Sequence, residues 1–416
     1  MSAFLIATLA LNATVISLDD AVRIAIENHP DIAVAAGQVD VAEARARERR
    51  SALLPRVDST ASYELSAARP PPGPWSAGDG YRASVSSSVL IYDFGRTRAR
   101  VRSAVTSAEA TRHDAAAVKR DLVFSVRLAY IDVLEARAML GLAQESLANE
   151  ERYLRQAQAL VDAGERPRID LVRFETRLAE ARSALVRAEA DLASSRTRLA
   201  RVMGVTVDPE SFQVTEPELT GLALEGLPVE ELLEMAFEER DDLESARLSV
   251  IARRLGVEDA RRSLWPSLRV SAGLGAHGED FDQPGLSSSV GLSMSWPLFD
   301  GFASSAVLEA ERAAVRLEEA RLSAREHEVW AEIREVRTSL NARRAQLDAA
   351  EQELFSAREM LRLAEARYAE GVADALELAT AQLDVSAAAA RMVRADYDLA
   401  AARASLLRAL GRRQWS

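Results

Sequence analysis

The segment from Ala366 to Leu378 reads ARYAEGVADALEL, and its Gly371 is the first glycine after Gly301. Residues 302 to 370 form 69 consecutive positions without glycine or proline, enough at 1.5 Å per residue for a helix of about 100 Å. Leu308, Val315, Leu322, Val329 and Val336 recur every seven residues, and Ile333, Leu340, Leu347, Leu354 and Leu361 form a second row offset by four. Beyond the glycine, Leu378, Val385, Met392, Leu399 and Leu406 keep the same spacing. These rows are heptad seams. Two heptad helices joined at one glycine predict an antiparallel helix hairpin.

The same pattern occurs earlier in the chain. SLDDAVRIAIENHPD (17 to 31) aligns with PVEELLEMAFEERDD (228 to 242), and a shift of 211 also carries LLP (53 to 55) onto LWP (264 to 266). Further on, IYD (91 to 93) falls on LFD (298 to 300), Gly164 on Gly371 and Gly204 on Gly411, all at a shift of 207. Leu171, Leu178, Leu185, Leu192 and Leu199 mirror the final helix. The chain therefore reads as one duplicated architecture. A first repeat spans 17 to 204, a linker with Pro209 and Pro217 spans 205 to 227, a second repeat spans 228 to 411, and 412 to 416 form a tail. AFLIATLAL (3 to 11) has the length of the apolar part of a secretory signal, so residues 1 to 16 are expected to be a signal remnant. An ordinary packed strand or helix is the alternative.

Composition narrows the function classes. Charged residues make up 28% of the chain and aromatics 5%, as in extended helices. A net charge of -12 argues against general nucleic-acid binding. There is no cysteine, which excludes disulfides, thiolate catalysis and Cys-ligated metal. The four histidines, His29, His113, His277 and His327, are scattered without metal-site spacing, and no catalytic constellation or cofactor motif is found. GLGAHG (273 to 278) fits GxGxxG in letters only, because it lies in an expected strand with no helix to follow.

The non-helical segments alternate with period two. Strands are expected at about 56–66, 82–92, 268–277 and 288–298, with Val57, Val85, Val270, Val290 and Leu292 on one face and mainly Ser, Thr and Gly on the other. RPPPGPWSAGDG (69 to 80) and HGEDFDQPG (277 to 285) are expected as exposed turns. Such strands fit a transmembrane β-barrel or a sheet packed on a soluble core. Tyr81, Tyr92, Phe94, Trp265, Trp296, Phe299 and Phe302 lie at or beside the expected strand ends, where membrane-interface aromatics belong. Four strands cannot close a barrel, whose smallest membrane form has about eight, so the barrel reading requires several chains.

The repeated LDDAVRIAIENHPDI opening, the ALLP and SLWPSL junctions, SWPLFDGF with its partner VLIYDFGR, and RYAEGVADALEL ahead of AQLD together resemble the outer-membrane efflux proteins, the TolC-like outer membrane factors. The resemblance covers about 17 to 411. It implies a mainly α fold with a β-barrel portion, in which a homotrimer pools four strands per chain into a 12-stranded transmembrane barrel continued by a long α-helical coiled-coil tunnel. It further implies a passive conduit without cofactors in a Gram-negative outer membrane, in contact with its lipid. A periplasmic adaptor (membrane fusion protein) and an inner-membrane efflux pump or ABC exporter are the implied partners, in tripartite efflux or type I secretion. A soluble periplasmic coiled-coil adaptor or scaffold is the competing reading.

The resemblance also assigns residues. It puts Gly164 and Gly371 at two hairpin turns at the periplasmic tip, Tyr368 at the family's tip tyrosine, Asp170 at its acidic partner on the other hairpin, and Glu377 in a ring of carboxylates at the entrance. Ala373 stands where the best-known member has a linking arginine, and Thr380 where it has a second acid. A more lightly held closed state is therefore expected.

Overall fold

A computed structural model describes residues 14–69, 71–206, 208, 211–216, 223–279 and 283–412. The expected signal segment, 3 to 11, lies outside the described residues. The elements run β1 (Thr14–Ile16), α1 (Leu18–Asn28), α2 (Pro30–Ser51), β2 (Arg56–Ala68), β3 (Ser76–Tyr92), α3 (Arg96–Asp162), α4 (Arg168–Val202), β4 (Phe212–Val214), α5 (Val229–Glu239), α6 (Asp241–Arg262), β5 (Ser267–Gly278), β6 (Gly285–Ser295), α7 (Ala303–Ala369) and α8 (Ala375–Ala409). The long helices α3 and α7 each have 67 residues. Adding 207 to the bounds of α3 and α4 gives those of α7 and α8, and adding 211 to α1 and α2 gives α5 and α6.

Contacts divide the chain into two units, one of residues up to 35, 116–241 and from 326, the other of 36–115 and 242–325. In the first unit, Ile16, Val126, Tyr130, Leu199, Met203, Phe212 and Ala404 belong to one buried cluster. Strands β1 and β4 pair in parallel through Val15 and Gln213. The Tyr130 hydroxyl lies 2.6 Å from the Thr215 carbonyl and 3.0 Å from that of Ile16, and Arg137 donates to the Val214 carbonyl at 2.9 Å. One repeat later Arg337 takes the place of Tyr130 and donates to the Glu225 carbonyl, while Arg403 pairs with the Glu225 carboxylate at 2.7 Å. The segment expected to serve only as a linker thus contains β4 and a short 3₁₀ turn, and both are tied to the long helices. Backbone carbonyls that leave regular structure are satisfied here by side chains.

The second unit holds an antiparallel sheet ordered β2-β3-β5-β6. Register places Asp58, Ser86, Gly273 and Ser289 in one cross-strand row and Thr60, Ser84, Gly275 and Ser287 in the next. The intervening row is Ser59, Val85, Leu274 and Ser288, and rows of the same face to one side of it contain Val57, Ser87, Ala272 and Val290, then Val89, Val270 and Leu292. One face is therefore hydroxyl and glycine and the other largely aliphatic; Val290 is 84% and Leu286 82% exposed. Both outer strands offer unpaired edges.

Strand limits differ from expectation, and β6 starts at Gly285 rather than near 288. β3 begins at Ser76, because β2 is long enough to continue the ladder to Ala68↔Ser76; the last five residues of the expected turn are strand, and Tyr81 lies within β3, opposite Tyr63. β6 stops at Ser295, since Pro297 has no amide to donate and restrains Trp296. The other aromatics gather where strands meet helices. Tyr92, Phe94 and Trp265 pack in sequence with tilted rings at 4.8 and 4.7 Å, Phe299 and Phe302 meet edge to face at 5.6 Å, and the Trp296 indole donates to the Leu264 carbonyl. Asp93 and Asp300 cap the helices that follow through Thr97 and Ser304. Asp259 joins α6 to α3 through Arg96 and Arg100, both at 3.1 Å.

Candidate functional site at the helix-hairpin turns

The two turns are built alike. At the end of α3, Gly164 N–H donates to the Val161 carbonyl and Glu165 N–H to that of Leu160; at the end of α7, Gly371 and Val372 donate to Tyr368 and Arg367. This is the Schellman pattern, with the glycine left-handed at φ 77° and 78° respectively. A side chain at either position would strain the reversal. Pro167 precedes α4, and Asp374 caps α8 by accepting the Glu377 amide at 2.9 Å.

A compact apolar cluster joins the two hairpins. Tyr153 and Phe174 of the first pack with Ala364, Tyr368, Ala373 and Leu378 of the second, the two rings of Tyr153 and Phe174 lying 6.4 Å apart. Polar links cross the same seam. The Tyr153 hydroxyl donates to the Glu365 carboxylate. Arg166, in the first turn, sets its guanidinium 4.5 Å above the Tyr368 ring and donates to the Tyr368 carbonyl at 2.9 Å.

The expected site residues fall together here, but not in the expected pairs. Tyr368 is 3% and Asp170 5% exposed, so neither is solvated helix surface. Among the described residues the buried Tyr368 hydroxyl has no hydrogen-bond partner, so it makes no bond to Asp170. Burial pushes that phenol above its usual range, with the Arg166 charge opposing and Asp170 reinforcing the shift. Glu377 lies against Arg367 at 3.1 Å, so its charge is locally compensated. Ala373 is buried in the apolar cluster. Thr380 returns its hydroxyl to the Leu376 carbonyl.

Sequence reading missed Arg166, Tyr153 and Glu365. GERPRID placed Arg166 in a turn, but nothing local says that its side chain crosses to the other hairpin. Tyr153 and Glu365 lie 212 residues apart. Their proximity follows only once the two hairpins are set side by side.

The family described as "Outer membrane efflux protein" matches residues 21–205 and 232–412, one segment per repeat. The pyoverdine export outer membrane protein OpmQ of Pseudomonas aeruginosa is 27% identical over 269 residues, covering 62% of this chain and 55% of that protein. The toluene efflux pump outer membrane protein TtgF of Pseudomonas putida is 25% identical over 263 residues, covering 62% and 54%. The chain thus spans about half the length of the curated relatives it matches. Among solved structures, the outer-membrane channel OprN superposes with a TM-score of 0.84 at 24% identity over 96% of this chain and 90% of that one. The open state of the Neisseria gonorrhoeae MtrE channel gives 0.81 at 20% identity, over 96% and 90%. With both repeats matched in order, this chain belongs to the outer membrane efflux protein family.

Proposed function

We propose that the chain is one protomer of a trimeric outer-membrane exit duct, which passively conducts cargo from an inner-membrane pump and periplasmic adaptor to the cell exterior. The four-stranded sheet carries this reading. It exposes an aliphatic face such as Val290 and Leu286, opposes it with serine and glycine, and leaves both edges open. Lipid and water on opposite faces match that split, and open edges are not tolerated in hydrocarbon. Three copies supply twelve strands and close the sheet. Tyr92, Phe94, Trp265, Trp296, Phe299 and Phe302 then form an interfacial girdle where strands meet helices. Tyr81 lies toward the other boundary.

The hairpin turns form the inner end of the duct. Tyr368, Asp170 and Glu377 are proposed as entrance residues around Gly164 and Gly371. The curated relatives export pyoverdine and toluene, by their names; cargoes so unlike suggest that selection lies with the pump. Purification without heating in mild detergent tests the reading. Detergent-dependent extraction, a native mass of three chains and ohmic conductance in planar bilayers are expected. Extraction into plain buffer as a single chain overturns it in favour of a soluble scaffold.

A further inference from the structure

Duplication lets each half of the chain be read against the other. In both halves the helix-ending glycine touches the end of the first short helix: a Cβ on Gly204 would lie 2.8 Å from His29 Cα, and one on Gly411 would lie 2.9 Å from the Glu239 carbonyl. The surroundings of these two glycines are therefore equivalent places.

Around Gly411 that place is filled and covered. Arg240 pairs with Glu332 at 2.6 Å and donates to the Ala409 carbonyl at 3.0 Å. Arg408, in the last turn of α8, reaches across to the first half, pairing with Asp121 at 3.1 Å and lying 5.2 Å over the Phe124 ring. Around Gly204 it is open. His29 replaces Arg240 and Ser125 replaces Glu332, leaving a groove of about 380 Å³ that Leu122, Arg201 and Val202 also line. Arg201 is the counterpart of Arg408. Its side chain is exposed, and among the described residues no carboxylate lies within 4 Å of it.

The contact between halves is thus one-sided. The first half offers Asp121 to Arg408 of the second, and the counterpart of Asp121 is Glu328, on α7. Within one chain Glu328 does not reach Arg201. We propose that Arg201 receives Glu328 from a second copy of this chain, so that the seam between copies repeats the Arg408–Asp121 seam within each copy. The groove at His29 and Ser125 is then closed by the incoming α7, whose Ala331 stands where Phe124 stands in the internal seam. Charge complementarity selects the register: an arginine with no carboxylate beside it among the described residues meets one at the height where the internal pair already sits. This inference rests on the ring assembly proposed above and adds the residues that build its seam.

The absence of cysteine makes the test direct. Arg201→Cys/Glu328→Cys in the full chain, treated in detergent with a short bis-maleimide, is expected to give covalent species of two and three chains on denaturing gels. Asp121→Cys/Arg408→Cys is expected to cross-link within a single chain. Both Arg201 and Glu328 are exposed, so folding is expected to survive; Arg201→Cys/Ala331→Cys provides a second pair across the same seam. A native mass of three chains, with internal cross-linking intact and no intermolecular product from either seam pair, overturns the inference alone. A native mass of one chain overturns the ring assembly as well.

Discussion

Arg166 lies over Tyr368, its guanidinium carbon 4.5 Å from the ring centroid and one nitrogen donating to the carbonyl of the same tyrosine. One side chain thereby holds both the ring and the backbone of the opposite hairpin where its helix ends. Because Tyr368 is buried and Arg166 only partly exposed, the stack contributes on the order of 1–2 kcal/mol, and a charged donor on a carbonyl adds about 1–2 kcal/mol when partly solvated. Arg166→Ala is expected to separate the hairpins. Spin labels at Glu165→Cys and Glu370→Cys should report a longer, broader distance distribution, with Arg166→Lys intermediate because it keeps the charge and loses the planar fork. An unchanged distribution would show that the apolar cluster alone holds the turns together.

Tyr153 and Glu365 make the second link across this seam. Burial raises the Tyr153 phenol above its usual range, and the neighbouring Glu365 carboxylate reinforces the shift, so the hydroxyl stays a donor throughout the neutral range. Tyr153→Phe is expected to cost about 1–3 kcal/mol, the loss of a hydrogen bond to a charged group that remains half-buried. A double-mutant cycle with Glu365→Ala, read from thermal unfolding in detergent, should give a coupling energy of at least about 0.5 kcal/mol. Additive effects would show that the two side chains merely lie close.

The long helices were legible because heptads and the absence of glycine and proline are local, repeated signals. Gly164 and Gly371 were legible because a chain reversal needs a left-handed residue. Strand ends were less so: the Ser76–Gly80 stretch is rich in turn formers, yet a long partner strand recruits it into the ladder. The site showed the same limit. Tyr368, Asp170 and Glu377 were singled out by position in a family pattern, whereas Arg166, which meets Tyr368 across the seam, has no local signal for that contact. Register along a helix can be read from sequence, but a side chain crossing between hairpins is fixed by tertiary packing.

Gly204 and Gly411 meet two demands at once. Both are left-handed, at φ 72° and 86°, and both touch backbone closely enough that a Cβ would lie within 3 Å of it. A left-handed alanine alone costs about 1–2 kcal/mol, and a backbone clash cannot be relieved by rotating a side chain. Gly204→Ala and Gly411→Ala are each expected to destabilise by more than about 2 kcal/mol. Gly141, with no neighbour within 4 Å and inside α3, is the contrast; Gly141→Ala is expected to stabilise by roughly 0.5–1 kcal/mol through helix propensity. Thermal unfolding of the three variants in one detergent checks the ordering, and equal shifts would remove the close-contact argument.

Glu150 contributes to the pH dependence of the first unit. One of its carboxylate oxygens is buried without a hydrogen-bond partner among the described residues. Burial raises its pKa above the ordinary value of 4.5, with Arg177 opposing the shift and Glu180 adding a little to it. Asp132, Glu135 and Asp396 are raised by burial in the same direction. A carboxyl group with a raised folded pKa binds its proton more tightly in the folded chain than in the unfolded one, so it favours folding as pH falls through the folded value toward the ordinary one. That contribution is lost as pH rises through the same window. Glu150→Gln keeps the shape and removes the charge. It is expected to unfold at a higher temperature than wild type at pH 7.5 and to show a smaller advantage at pH 5, where a larger share of Glu150 is protonated. A constant difference between the two pH values would assign the effect to packing rather than to titration of Glu150.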